Sequence, residues 1–392
     1  MTGPRRCEFA ARARLGGTVV AESHDAVVVE EPGRQAALLF PVADVRFDLL
    51  PADADGGAAG LVRAVDAEGA GDGPKGFAAF DPDRIAVELV DPSADGDARG
   101  ESVKRFPVWG DAAHLIDILD VRPGGEDRYT SVARADRRRS VVEGSQMLGQ
   151  AIVAADRKAP GRRCVSAHMV FLRPADPTAS LAFELEELSA GRTFSALGCE
   201  VRQGTTRCAS GRLLLDATAP DVMRHAVTAP AVPGPYECEA YDMSVTGRDI
   251  RVVADAYTDD SDASLGPPEL DAWVRFRRVP DDPALHAGLL AQFTGHMAIA
   301  AALRPHAGLG QDQAHRTLST AINAIAISFH REVRADRWML YHHHSTFAGD
   351  GMTHAECRVH DEQGALLASF TVDAMVRTFR PRGAAMDERN AL

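Results

Sequence analysis

Glu143 stands at the start of a helical pattern, followed by Gly144-Ser145-Gln146. A helix start carries unsatisfied backbone N–H groups and the positive end of the peptide dipole. Such a start favours a nearby negative charge, and its N–H groups can polarise a carbonyl. The plainer alternative for Glu143 is a first-turn acid facing solvent. His168 interrupts the apolar run from Ala167 to Leu172 and is either a site residue or a satisfied core histidine. Asn323 can hydrogen-bond a carbonyl or a water but cannot act as a base. The run His342-His343-His344, followed by Ser345 and Thr346, raises a metal reading. On a strand only His342 and His344 share a side. No spaced carboxylate or further histidine completes a site, so no metal is expected. The six cysteines include no CxxC pair, which argues against structural zinc. The nucleophile elbow, the phosphate-binding loop and the dinucleotide fingerprint are all missing from the sequence.

These side chains need elements to hold them. Ser140 to Asp156 places apolar residues at helical spacing, with Gly144, Gly149, Ala151, Ala154 and Ala155 small enough for close packing. Strand-like runs follow at Val165–Leu172, Leu181–Leu188, Thr193–Arg202 and Cys208–Ala217, with a turn at Gln203-Gly204. One helix wrapped by a long antiparallel sheet is the expected unit, over 128–225. The order recurs over 233–380 with longer connections. Gly149–Ala155 pairs with His296–Ala302, Phe171-Leu172-Arg173 with Phe329-His330-Arg331, and Gln203-Gly204 with Gln363-Gly364. Three matches in one order point to duplication. Residues 1–121 read instead as short β-branched runs divided by Gly-Gly and Pro-Gly, a small β-rich domain with a loop rich in Gly, Ala and Asp over 53–74 and another loop over 92–101.

The pattern resembles the acyl-CoA thioesterase II family, whose members are tandem, or double, hot-dog proteins. The residues that carry the resemblance are Val142-Glu143-Gly144-Ser145-Gln146-Met147-Leu148-Gly149-Gln150-Ala151, His168-Met169-Val170-Phe171-Leu172-Arg173-Pro174 and Gly191-Arg192-Thr193-Phe194-Ser195. In the second copy they are Asp271–Arg275, Pro280–Leu285, Phe329-His330-Arg331 and Trp338–Tyr341. The implied fold is α+β, with two hot-dog domains behind a mostly-β domain similar to a β-tent. The implied activity is thioester hydrolysis. The implied machinery is an Asp five residues before Phe-His-Arg, a Thr or Ser past the Trp strand, and a Gln on the last strand. Here those positions hold Ala324, Thr346 or its neighbour Ser345, and Val372. Ala and Val can neither accept a proton nor orient water. Asn323 precedes the Asp position and should point to the opposite side of a regular strand.

Three readings stay open. Glu143 replaces the lost base of a hydrolase, with Gly144, Ser145, Gln146 and Ser345 binding substrate. Alternatively Glu143 and His168 act as the base and acid of a dehydratase, isomerase or cyclase on a thioester. The third is a catalytically degenerate acyl-ligand binder.

With 392 residues, 45% hydrophobic and 25% charged, the chain can bury a large core. Its net charge of −13 argues against a general nucleic-acid or anionic-membrane partner. Short basic runs such as Arg137–Arg139 and Arg162-Arg163 fit either solvated surface or coenzyme phosphates. No run is long and apolar enough for a signal peptide or a spanning helix. The expected partner is an acyl-CoA or acyl-carrier-protein thioester, in a cytoplasmic homo-oligomer without a cofactor.

Overall fold

The computed structural model describes residues 5–7, 9–29, 37–51, 61–65, 76–81, 84–91, 102–106, 112–133, 141–241, 247–254 and 265–379. Most of the two expected loops and the Arg137–Arg139 run lie outside them. The described chain forms two compact units, one ending before Ala112 and one beginning there.

The first unit is mostly strand. Its five-stranded sheet runs Arg5–Arg6, Val27–Val29, Ala37–Pro41, Phe77–Phe80, Val62–Val65 in spatial order. Its four-stranded sheet runs Thr18–Ser23, Ala10–Leu15, Ala86–Asp91, Ser102–Arg105. Val20, Leu38, Phe40, Leu61 and Ile85 fill the core of this unit.

The second unit opens with helix α1 (Ala112–Leu119) and the short strands β1 (Arg122–Gly125) and β2 (Arg128–Thr130). Helix α2 (Gly144–Lys158) follows, then β3 (Arg163–Phe171), β4 (Ala182–Ala190), β5 (Phe194–Gln203) and β6 (Thr206–Asp216). After β7 (Glu239–Ala240), β8 (Arg248–Val252) and β9 (Glu269–Phe276) come helices α3 (Pro283–Phe293) and α4 (Ala298–Leu303). The strands β10 (Leu318–Phe329), β11 (Met339–Gly349), β12 (Met352–Asp361) and β13 (Leu366–Thr378) complete it.

All these strands join one sheet, in the order β1-β2-β4-β5-β6-β3-β10-β13-β12-β11-β9-β8-β7. The central pair, β3 and β10, is antiparallel from Ser166 opposite Ser328 to Val170 opposite Ala324. Outward from that seam both halves carry their strands in the same sequence order, as two fused copies of one unit must. Phe171 and Phe329 end matching strands. Gly204 and Gly364 sit in matching hairpin turns at φ 58° and 81°, a region glycine enters without a Cβ clash.

The helices supply the rest of the core. Every residue of α2 from Ser145 to Ala155 is buried. Such a helix is apolar or small all round because it meets a sheet on one side and a helix on the other. That helix is α3. A Cβ on Gly149 would lie 2.5 Å from the Gly288 carbonyl oxygen, and one on Gly288 would lie 2.8 Å from Val153 Cγ2. The two glycines therefore mark the crossing, and Gly288 is the counterpart of Gly149. This corrects the pairing of Gly149–Ala155 with His296–Ala302. Most of that stretch is a separate helix, α4, set off from α3 by a break in which Met297 adopts φ 68°. Alanine-rich helical runs look alike in sequence, and only the crossing shows which one is the equivalent. Gln150 Nε2 donates to the Ile118 carbonyl at 2.8 Å, so α1 packs within this second unit.

Candidate active site

The start of α2 is pinned from both sides. Val142 N–H donates to the Ala175 carbonyl at 2.8 Å, and the Phe171 ring lies where a Gly144 side chain would be. Glu143 is the N-cap, with extended backbone at φ −62° and ψ 139°. Its side chain does not turn back to cap the helix. The carboxylate reaches instead to the far end of α3, where Oε2 is 3.3 Å from Gln292 Nε2 and 3.6 Å from His296 Nε2. The helices are antiparallel, so the start of one meets the end of the other.

The start of α3 is built differently. Asp282 accepts from Ala284 N–H at 2.9 Å, and Pro283 removes one of the first-turn donors altogether. Its neighbour Asp156 is pushed up to about 6, first by burial and then by the charge of Asp282. Of the two pseudo-equivalent helix starts, α3 is closed by its own side chain and α2 has no side-chain cap among the described residues.

Behind Glu143 lies a buried polar chain. Gln292 and Arg248 are each only 1% exposed. Arg248 Nη1 is 3.2 Å from Gln292 Oε1 and 3.4 Å from His296 Nε2. The guanidinium stands 5.0 Å over the Phe293 ring. Phe293 in turn meets Tyr341 edge-on at 4.9 Å, and Tyr341 Oη donates to the Leu290 carbonyl at 3.0 Å. Burial pushes the Tyr341 phenol up, so it stays a neutral donor. The α3–α4 break brings His296 to this place. It needs Gly295, because a Cβ there would sit 2.8 Å from Ser145 Cβ and 3.3 Å from Ile322 Cδ1. Thr294 Oγ1 closes the end of α3 on the Ala291 carbonyl at 2.6 Å.

Gly295 thus lies between Ser145 at the start of α2 and Ile322 of strand β10, and Asn323 comes next. The register with β13 shifts between Ile322 and Ala324, so Asn323 is a bulged residue outside regular alternation. Its Oδ1 is buried and meets no donor among the described residues. Ala324 lies opposite Asp373, and Val372 is buried opposite Ile325. Asp373 bonds His354 Nδ1 at 2.7 Å. A second bulge leaves Thr346 exposed on β11. Its neighbour Ser345 is buried, with the hydroxyl 3.3 Å from the carbonyls of both Phe347 and His354. The first copy has bulges at the equivalent positions, Val165 and Leu188. Duplication thus set up two identical kinks, and only the second copy carries polar side chains there.

His168 is exposed and faces away from α2. It lies opposite Arg212 and Ala326, whereas its neighbours Ala167 and Met169 are buried. The expectation of a Glu143–His168 pair is therefore corrected. Strand alternation puts His168 on the outer face, and His296 is the imidazole that reaches Glu143. The alternative of a core histidine at 168 fails for the same reason. In the triple-histidine run, His342 bonds Asp271 at 2.9 Å. His343 is fully buried and held down to about 4 by burial. Among the described residues no three His, Cys, Asp or Glu side chains cluster as metal ligands do. The sequence reading missed Gln292, Arg248 and His296. Gln292 and His296 had one local signal, polar residues closing an apolar helical run, and Arg248 had none.

A sheet of two mirrored halves around paired central helices, with one open helix start, defines a double hot-dog protein of the thioester-handling class. Residues 134–215 match the acyl-CoA thioesterase N-terminal domain family, and residues 215–376 match the acyl-CoA thioesterase C-terminal domain family. The chain belongs to the acyl-CoA thioesterase II family. It is 24% identical over 317 residues to acyl-coenzyme A thioesterase 8 of Mus musculus, which covers 73% of this chain and 96% of that protein. It is 25% identical over 256 residues to acyl-CoA thioesterase 2 of Haemophilus influenzae, covering 60% and 87%. Among solved structures, the acyl-CoA thioesterase II TesB2 of Mycobacterium marinum aligns at TM-score 0.57 with 25% identity, covering 69% of this chain and 99% of that one.

Proposed function

We propose that this protein hydrolyses acyl-CoA thioesters at the start of α2, with Glu143 as general base. Its family membership supports a thioesterase-like action on a thioester. The observation that carries the site assignment is the uncapped start of α2 beside a carboxylate held by Gln292. The first-turn N–H groups of Gly144, Ser145 and Gln146 hold the thioester carbonyl oxygen and stabilise the charge that develops on it. Water loses a proton to the Glu143 carboxylate and adds to the carbonyl carbon. The carbon–sulfur bond then breaks, and the proton passes from Glu143 to the leaving thiolate. Asn323 Oδ1, a buried acceptor, holds the second water hydrogen. Ala324 and Val372 stand where the family's Asp and Gln are expected, so the base comes from the helix start instead. The exposed Thr346 on β11, with its neighbour Ser345, is assigned to substrate binding.

The carrier is coenzyme A or an acyl-carrier protein, and the protein acts as a homo-oligomer in the cytoplasm. One observation supports a reducing compartment: all six cysteines are buried and none is joined in a disulfide.

The test is thiol release from a panel of acyl-CoAs by wild type and Glu143→Gln. Hydrolysis of one chain class is expected, with kcat about 100-fold lower or worse in the variant. Full activity of Glu143→Gln would remove Glu143 from the mechanism.

A further inference from the structure

We infer that Arg248 and Gln292 form a positioning relay that aims the Glu143 carboxylate, an assignment that rests on the reading of Glu143 as the base. The argument begins with what each group can do. Arginine carries only donors, so the atoms it meets must be acceptors. Arg248 Nη1 lies 3.2 Å from one terminal atom of the Gln292 amide and thereby fixes that atom as oxygen. The amide has two ends. With its oxygen held by Arg248, its NH2 faces Glu143 Oε2 at 3.3 Å. A free carboxamide would be able to flip and turn its own oxygen toward the carboxylate, which would repel it. Arg248 forbids that flip.

His296 stands beside the same groups, with Nε2 3.4 Å from Arg248 Nη1 and 3.6 Å from Glu143 Oε2. Gln292 is the donor that this geometry aims at the carboxylate.

Burial makes the arrangement specific. Arg248 and Gln292 are fully withdrawn from water. A guanidinium in that position is costly unless its donors are met and its geometry is fixed. Phe293 lies under it, and Tyr341 supports Phe293. The relay spans three elements: β8 carries Arg248, the end of α3 carries Gln292, and the start of α2 carries Glu143. Among the described residues, His296 faces Glu143 at 3.6 Å, and Arg248 stands behind Gln292. His343 lies behind them on β11 and is kept neutral by burial.

The experiment is a pH profile of kcat/KM for wild type, Glu143→Gln, Gln292→Glu, Gln292→Met, Arg248→Lys and the double variant Arg248→Lys/Gln292→Met. Gln292→Glu keeps the shape of the side chain and replaces the donor with a second carboxylate beside Glu143. Paired carboxylates raise the pKa of one of them, so the acid limb is expected to move up by about one pH unit or more. Gln292→Met is expected to lower kcat about tenfold with little change in KM. Arg248→Lys acts on Glu143 through Gln292, so its loss should be smaller in the Gln292→Met background than alone. An unmoved acid limb in Gln292→Glu overturns the relay, as does full additivity of the two losses. If Arg248→Lys does not fold, the Gln292→Glu profile alone decides. Full activity of Glu143→Gln would sink the general-base reading, and the relay with it. A dead Glu143→Gln beside an unmoved Gln292→Glu profile would sink the relay alone.

Discussion

The crossing of α2 and α3 makes a quantitative prediction about Gly149 and Gly288. In an ordinary helix interior, Gly→Ala gains about 1 kcal/mol. Here the added methyl must enter the helix contact. On Gly288 it would lie 2.8 Å from Val153 Cγ2, whereas carbon atoms rest about 3.5–4.0 Å apart. Valine is stiff at χ1 and has little room to swing away. Overpacking of this kind costs about 1–3 kcal/mol, so the net loss for Gly288→Ala is roughly 0–2 kcal/mol after the helix gain. On Gly149 the methyl meets the Gly288 carbonyl oxygen at 2.5 Å, and Leu119 Cδ2 at 3.2 Å. A backbone carbonyl cannot rotate aside, so Gly149→Ala should be the worse of the two, at the upper end of that range with a net loss of about 2 kcal/mol. At roughly 2–4 °C per kcal/mol, its Tm falls by about 4–8 °C.

Activity responds through geometry. Gln292 lies one helical turn beyond Gly288, and its bond to Glu143 is already 3.3 Å long. Separating the helices by half an ångström or so takes it beyond hydrogen-bond range. Below the melting transition, kcat is therefore expected to fall about tenfold or more. Thermal melts with steady-state thiol release on the same preparations measure both effects. A Gly149→Ala protein as stable as wild type, or more stable, would refute the reasoning, because the helix gain alone would then rule.

Three further expectations concern single groups. Asn323→Ala removes a buried acceptor that meets no donor, so stability should hold or rise slightly while kcat falls about tenfold; a drop in Tm with unchanged kcat would make Asn323 structural. His343 is held from 6.5 down to about 4 by burial. The unfolded chain binds a proton there that the fold refuses between those values, so this group removes stability as pH falls from about 6.5 to 4, by about 3 kcal/mol in all. Urea melts of wild type and His343→Phe across that range should show the acid sensitivity weakened in the variant, and equal slopes would contradict the assignment. Asp156 has the opposite sign, since burial raises it from 3.8 to about 6. The fold binds that proton more tightly than the unfolded chain does, so this group favours stability at pH 4 and loses it as pH rises through 6. Asp156→Asn should be more stable than wild type at pH 7.5 and should lack this gain on acidification.

The fold was legible because its signals are local. Strand alternation, the turn glycines at 204 and 364, and the repeated Phe-containing strand ends are written in neighbouring residues, and the folded elements fall within a few residues of them. The second helix was misassigned because a run of small apolar residues specifies a helix without specifying its partner. Gly288 has meaning only against Gly149. The site was half legible. Glu143 could be read from its place at the start of a helical pattern, and Asn323 from its place beside Ala324. The bulge that takes Asn323 out of alternation is set by the pairing of β10 with β13, which no single strand reveals. His168 misled because the apolar residues around it do not say which face of the strand is covered. Gln292 and His296 reach Glu143 from more than 100 residues away, through an antiparallel helix contact that exists only in the fold, and Arg248 meets them from strand β8.

The most direct test of the thioester site is a crystal structure with a non-hydrolysable acyl-CoA ketone analogue. The carbonyl oxygen is expected within about 3 Å of the first-turn amide nitrogens of α2, with its carbon beside the Glu143 carboxylate. An acyl group seated at the start of α3, or away from both helices, would contradict the assignment.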